Sequence, residues 1–109
     1  MAAEAELRVV LLTAPEPAVA ERLARALVEE RLAACVSWLP GLRSVYRWQG
    51  RVEEAGECLL VAKTRADRCA ALAARVRELH PYELPELLEL SVAGGSAAYL
   101  DWVREESSP

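Results

Sequence analysis

The chain has no phenylalanine, isoleucine or asparagine, and it has a single methionine, a single histidine (His80) and a single lysine (Lys63). Loss of asparagine suits a thermophile, and a GC-rich genome produces the same surplus of alanine and arginine. There is no glycine-rich phosphate loop, no H-E-x-x-H helix and no nucleophile–base pair at a recognisable spacing, so an enzyme is the poorer class. Cys35, Cys58 and Cys69 are odd in number and lack C-x-x-C spacing. They read as reduced thiols packed as small hydrophobes, and they argue against a zinc site or a disulfide frame. Positive charge is also short: the formal net charge is −4, with 13 basic residues scattered among 17 acidic ones. A nucleic-acid partner would need that charge clustered. The N-terminal "MAAEAELRVVLL" has no basic leader region and its apolar run is brief. It reads as neither a secretory signal nor a membrane span, and the expected location is the cytoplasm.

What is present describes one small globular domain over residues 1–109. Hydrophobic residues make up 53% and charged residues 28%, which separates the chain from disordered sequences. At this length there is enough chain for a core, with little to spare.

The apolar pattern changes period along the chain. "ELRVVLLT" (6–13) is a short apolar run ended by "APEP", a buried strand. Over residues 17–33, Ala20, Leu23, Ala24, Leu27 and Val28 recur at helical spacing, with Glu21–Arg25 and Arg25–Glu29 as i,i+4 pairs on the wet side. From Ala34 the period becomes two, through Val36 and Trp38. After a break at Pro40–Gly41 it continues through Leu42, Ser44, Tyr46 and Trp48. "QG" at 49–50 signals a hairpin, and a second strand runs from Val52 towards Lys63 with Gly56 as a candidate bulge. Thr64 with Asp67 three residues on forms a capping-box pattern. A second helix follows through Cys69, Leu72, Ala73, Val76 and Leu79 up to Pro81. "ELLELSV" (86–92) is the last core strand. "GGS" then turns the chain into a short helix in which Ser96 caps and Tyr99, Leu100 and Val103 pack, ahead of a frayed "EESSP" tail.

Strand–helix–strand, hairpin, strand–helix–strand is the ferredoxin-like split β-α-β order (βαββαβ, here with a C-terminal helix), an α+β fold with two helices on one face of an antiparallel sheet. The opposite face is the difficulty, because strands 1, 3 and 4 are apolar on both sides where a solvated face needs polar alternation. The central hairpin is also long, at roughly 13 to 15 residues per arm against about 5 to 6 for an ordinary strand. Surplus strand and an uncovered face together predict self-association, with hairpins adding to neighbouring sheets.

"LVEERLAACVSWLPGLRSVYRWQG" (27–50), "LLVAKT" (59–64), "LHPYELPELLELSV" (79–92) and "YLDW" (99–102) resemble the CutA family, the divalent-cation-tolerance proteins, in register over almost the whole chain. The resemblance implies a ferredoxin-like protomer in a tight homotrimer, linked by the long hairpins and the C-terminal segment, with an architecture like that of the PII signalling proteins. It also implies a part in divalent metal tolerance, copper above all, and no defining catalytic activity. No cofactor is obligatory on this reading, and copper or another divalent cation is the candidate ligand. The family's copper ligands, a cysteine at the end of the first strand and two histidines before Pro-Tyr, fall here on Leu12, Leu79 and His80. One of the three is kept.

His80 therefore has two readings. It is a metal ligand, aided by Glu83 or Glu86 or by symmetry-related copies, because copper asks for imidazole with thiolate or for several imidazoles. Or it is a structural residue in the last turn of a helix, biased towards extended backbone by Pro81. Tyr46 and Trp48 share a strand face and read as subunit packing, or, by analogy with PII trimers, as the wall of an inter-subunit cleft completed by Lys63, Tyr82 and Glu86. In that second reading the chain is a signalling module whose cleft takes a small anionic ligand, with Lys63 as the anion contact. Glu53, Glu54 and Glu57 read as a solvated strand edge.

Overall fold

The computed structural model describes residues 4–109. Strand β1 (Leu7–Ala14) is followed by helix α1 (Pro17–Glu29) and by the long hairpin β2 (Cys35–Trp48) and β3 (Arg51–Arg65). A single 3-10 turn (Ala66–Arg68) leads into α2 (Cys69–Leu79), and β4 (Leu87–Ser91) and α3 (Ala97–Glu106) complete the chain. The four strands lie in the order β2-β3-β1-β4, and every neighbouring pair is antiparallel. This is the expected ferredoxin-like arrangement.

Strand parity builds the core. Val10, Leu12 and Ala14 of β1 and Cys58, Leu60 and Ala62 of β3 point to the face covered by the helices, where Leu23 and Leu27 of α1 and Leu72 and Val76 of α2 meet them, fully or almost fully buried. Pro17 sits at the start of α1, where its missing N–H is not needed. The helix ends at Glu29, short of residue 33. Arg31 takes a left-handed φ of 58°, and the N–H groups of Leu32 and Ala33 both turn back to the Leu27 carbonyl. That reversal drops Leu32 and Ala33 into the core, which outweighs the helical preference of the segment.

Four local expectations are corrected. Gly56 pairs in register with Arg43, and the irregularity lies instead between Leu39 and Leu42. There Pro40 has no N–H to give the ladder and Gly41 supplies a φ of 89°. Thr64 is not a helix cap: β3 runs through it to Arg65, and its buried hydroxyl donates to the Leu32 carbonyl at 2.7 Å. Asp67 is paired with Arg65. Ser96 does stand at the N-cap of α3, without a side-chain cap bond. The tail is docked, since Ser107 is fully buried and Arg31 donates to the carbonyls of Glu105 and Ser108. On α3 it is Leu100 and Val103 that pack, against Leu7, Ala34 and Val92, while Tyr99 stacks on Trp102 in solvent.

The hairpin turns through Gln49 and Gly50, both with positive φ (50° and 77°), as a two-residue turn in a right-twisted ribbon requires. Its arms of 14 and 15 residues outrun the rest of the sheet. β1 covers β3 only from Arg65 back to Cys58. From Leu42 to Glu57 the ribbon has no third strand. The sheet face opposite α1 and α2 carries Leu39, Leu88 and Leu90 at 57%, 54% and 47% exposure, in line with Leu11, Leu59 and Val61.

Candidate functional site

The end of α2 brings together His80 and Tyr82, two of the residues the sequence marks as chemically interesting. Pro81 forbids a further helical turn, so His80 takes extended backbone (φ −79°, ψ 135°) while its N–H still closes the helix on the Val76 carbonyl. The imidazole folds inward to 7% exposure. Its Nε2 lies 2.7 Å from the Thr13 carbonyl, and the Tyr82 backbone N–H donates to Nδ1 at 3.1 Å. A carbonyl can only accept, so Nε2 carries the proton and Nδ1 offers the lone pair. Both ring nitrogens are engaged by backbone.

Tyr82 follows directly from that geometry. Its ring lies tilted against the imidazole, with centroids 4.8 Å apart and planes at 51°, and its hydroxyl donates to the Glu57 carboxylate at 3.3 Å. Partial burial pushes the phenol's pKa up, the Glu57 charge and hydrogen bond add to this, and Tyr46 contributes last. Tyr46 itself faces Glu53 across the hairpin, and Trp48 faces Arg51. Glu57, read from the sequence as solvated edge, is thus the partner of the Tyr82 hydroxyl, with Tyr46 on the same face of the hairpin. The signal for it was parity: Glu57 shares the open face with Leu59, Val61 and Lys63.

Lys63 is not part of this group within one protomer. It stands six residues further along β3, about 20 Å away, opposite Cys35, where its ammonium donates to Ser37 Oγ at 3.0 Å and approaches Cys35 Sγ at 3.7 Å. Glu86 is exposed in the lead into β4. Two surface hollows, about 350 Å³ beside α3 and about 590 Å³ between α1 and α2, contain none of Tyr46, Trp48, Lys63, His80, Tyr82 or Glu86. The cysteines are unpaired, with Cys58 and Cys69 buried. Burial, and after it the Glu89 carboxylate, pushes the Cys69 thiol up to about 11.

Comparison with known proteins decides the family. The profile described as CutA1 divalent ion tolerance protein matches residues 8–106. The chain belongs to the CutA1 family. It is 54% identical over 99 residues to the divalent-cation tolerance protein CutA of Thermus thermophilus, covering 91% of this chain and 96% of that one. The solved structure of that organism's divalent cation tolerance protein superposes with a TM-score of 0.92 at 52% identity, over 94% of this chain and 99% of the other. A structure described as the periplasmic divalent cation tolerance protein CutA of Archaeoglobus fulgidus superposes at 0.91 with 33% identity, over 94% and 99% of the two chains.

For this CutA1-family chain the copper positions can be tested against its own packing. Leu12 is fully buried in the core and Leu79 packs against it. Neither side chain holds a donor atom, and no group of three or more His, Cys, Asp or Glu side chains stands in a metal-holding arrangement among the described residues. Within one protomer the three family copper positions therefore offer a single donor side chain, that of His80. Among the described residues no helix is long and apolar enough to cross a membrane.

Proposed function

We propose that the chain serves divalent-cation tolerance as a homotrimeric, non-catalytic module in the cytoplasm, with its ligand-facing residues in the clefts between subunits. The carrying observation is the open sheet face. Leu39, Leu88 and Leu90 are about half exposed on the side that no helix covers, and the unpartnered end of the hairpin projects beyond the same sheet. A contiguous apolar surface with spare strand beside it is what a tight assembly between copies buries. The three unpaired cysteines support a reducing compartment.

Two routes lead from such an assembly to cation tolerance. One is direct binding of copper at His80 with Glu86. The other is a PII-like response, in which a small anionic ligand bound between subunits alters what the trimer binds. The second is favoured by the engagement of both His80 nitrogens; it needs a neighbouring subunit to bring Lys63 to Tyr46 and Tyr82. Light scattering on the untagged protein tests the assembly, with an expected mass near three times 12.0 kDa; a mass near 12.0 kDa at micromolar concentration sinks it. Calorimetric titration of copper into wild type and His80→Ala separates the routes. Copper binding lost with the histidine restores the first, and a metabolite that raises the melting temperature of the trimer supports the second.

A further inference from the structure

The registers show what His80 does with its two nitrogens. Pairing between β1 and β4 ends at Leu12–Leu87, so Thr13, one residue on and buried at 6% exposure, has no β4 partner opposite it. A buried carbonyl without a partner is costly, and His80 Nε2 supplies the missing donor at 2.7 Å. On the other side of the ring, residues 80–86 leave α2 without regular structure. The first backbone N–H after Pro81, that of Tyr82, is taken up by Nδ1 at 3.1 Å. One side chain thus ties the end of β1 to the α2–β4 crossover, and it sets the Tyr82 ring against itself and the Tyr82 hydroxyl on Glu57.

We infer that His80 is a positioning residue that pins Tyr82 in the cleft, and that the His80 position of this chain takes no transition-metal ion. A metal needs a ring nitrogen with its lone pair free and pointing at it. Here Nε2 points its proton at a carbonyl and Nδ1 is filled by an N–H. Turning the ring over would put carbon against both backbone groups, and the residues at the other two family ligand positions, Leu12 and Leu79, have nothing to coordinate with. The role for Tyr82 rests on the cleft reading above; the absence of a metal does not, and it stands whatever the oligomer.

Because His80 is the only histidine, ring-nitrogen NMR of the untagged wild-type protein reads it without ambiguity. The expected result is a proton on Nε2 and ring-nitrogen resonances that do not move on adding an equivalent of zinc. A zinc-dependent shift of either nitrogen overturns the inference. Two variants then test the pin through the Tyr82 amide. His80→Asn puts a carbonyl oxygen near the Nδ1 position, whereas His80→Gln puts an amide N–H near the Nε2 position. Tyr82 N–H exchange should stay slow in wild type and His80→Asn and speed up about tenfold in His80→Gln, the fold-change for one lost hydrogen bond. Equal protection in all three proteins overturns the positioning role. A monomeric mass by light scattering would sink the trimer and leave these readouts intact.

Discussion

His80 and Cys69 are the two residues whose chemistry is most altered by where they sit. Replacing His80 with alanine leaves the Thr13 carbonyl buried without a donor and opens space beside α2. The expected cost is about 2–4 kcal/mol, read as a shift of the denaturation midpoint at fixed protein concentration. A loss below about 0.5 kcal/mol, typical of a surface change, would mean that the ring carries no structural role. Cys69 gives a pH prediction. Its thiol stands at about 11 in the folded chain against 9.0 unperturbed, chiefly through burial and then through the neighbouring Glu89 carboxylate. Between those two values the unfolded chain releases the proton first, so it binds fewer protons than the native state and stability falls as pH rises. Below pH 9 the contribution is constant. The expected loss across that window is roughly 1–3 kcal/mol, and Cys69→Ala should flatten the slope. The same shift makes Cys69 a poor nucleophile, and it should resist iodoacetamide at about pH 8 until the protein unfolds.

At the scale of elements, the periodicities placed the two main helices and all four strands, because an amphipathic face and an alternating strand each carry their own signal. Element ends followed contacts that no window of sequence contains. Arg31 closes α1 in a left-handed conformation and reaches across 74 and 77 residues to the carbonyls of Glu105 and Ser108, so a tail that reads as frayed is held down. Thr64 has the chemistry of a cap, but its hydroxyl is claimed by the Leu32 carbonyl in the core. Two substitutions separate the functions of Arg31. Arg31→Ala loses the guanidinium bonds and keeps the unfavourable φ; Arg31→Gly loses the same bonds and relieves the backbone. Both should loosen α3, seen as faster amide exchange over residues 100–107. The alanine variant should also be less stable than the glycine variant by about 1 kcal/mol. Equal stability would show that the backbone conformation costs nothing, and unchanged exchange would show that Arg31 does not hold the helix.

At the scale of the whole molecule, topology was legible because element order and strand parity leave few alternatives, and the family motifs run in register with them. The site was legible only in part. Tyr82 and the missed Glu57 meet within one chain with Tyr46 on the same hairpin face, but Lys63 lies a strand's length away, and a cleft shared between subunits leaves no complete pattern in one sequence. Assembly is therefore the property on which the functional reading turns, and it can be challenged from the two sides of the sheet. Leu88 and Leu90 lie on the open face, 54% and 47% exposed in the isolated chain. Each leucine side chain buried between copies contributes about 1.5–3 kcal/mol. A charge placed there must either be stripped of water or hold the subunits apart. Leu88→Glu combined with Leu90→Glu should lower the light-scattering mass from the trimer towards 12.0 kDa and make the melting temperature depend strongly on protein concentration. Val28, 41% exposed on the outer side of α1, provides the control, since Val28→Glu adds the same charge to the helix side and should leave the mass unchanged. If the double variant keeps the full mass, the open sheet face is not the assembly surface. If Val28→Glu dissociates the protein instead, the subunits meet through their helices, and the cleft between Tyr46, Glu57 and Tyr82 must be sought elsewhere.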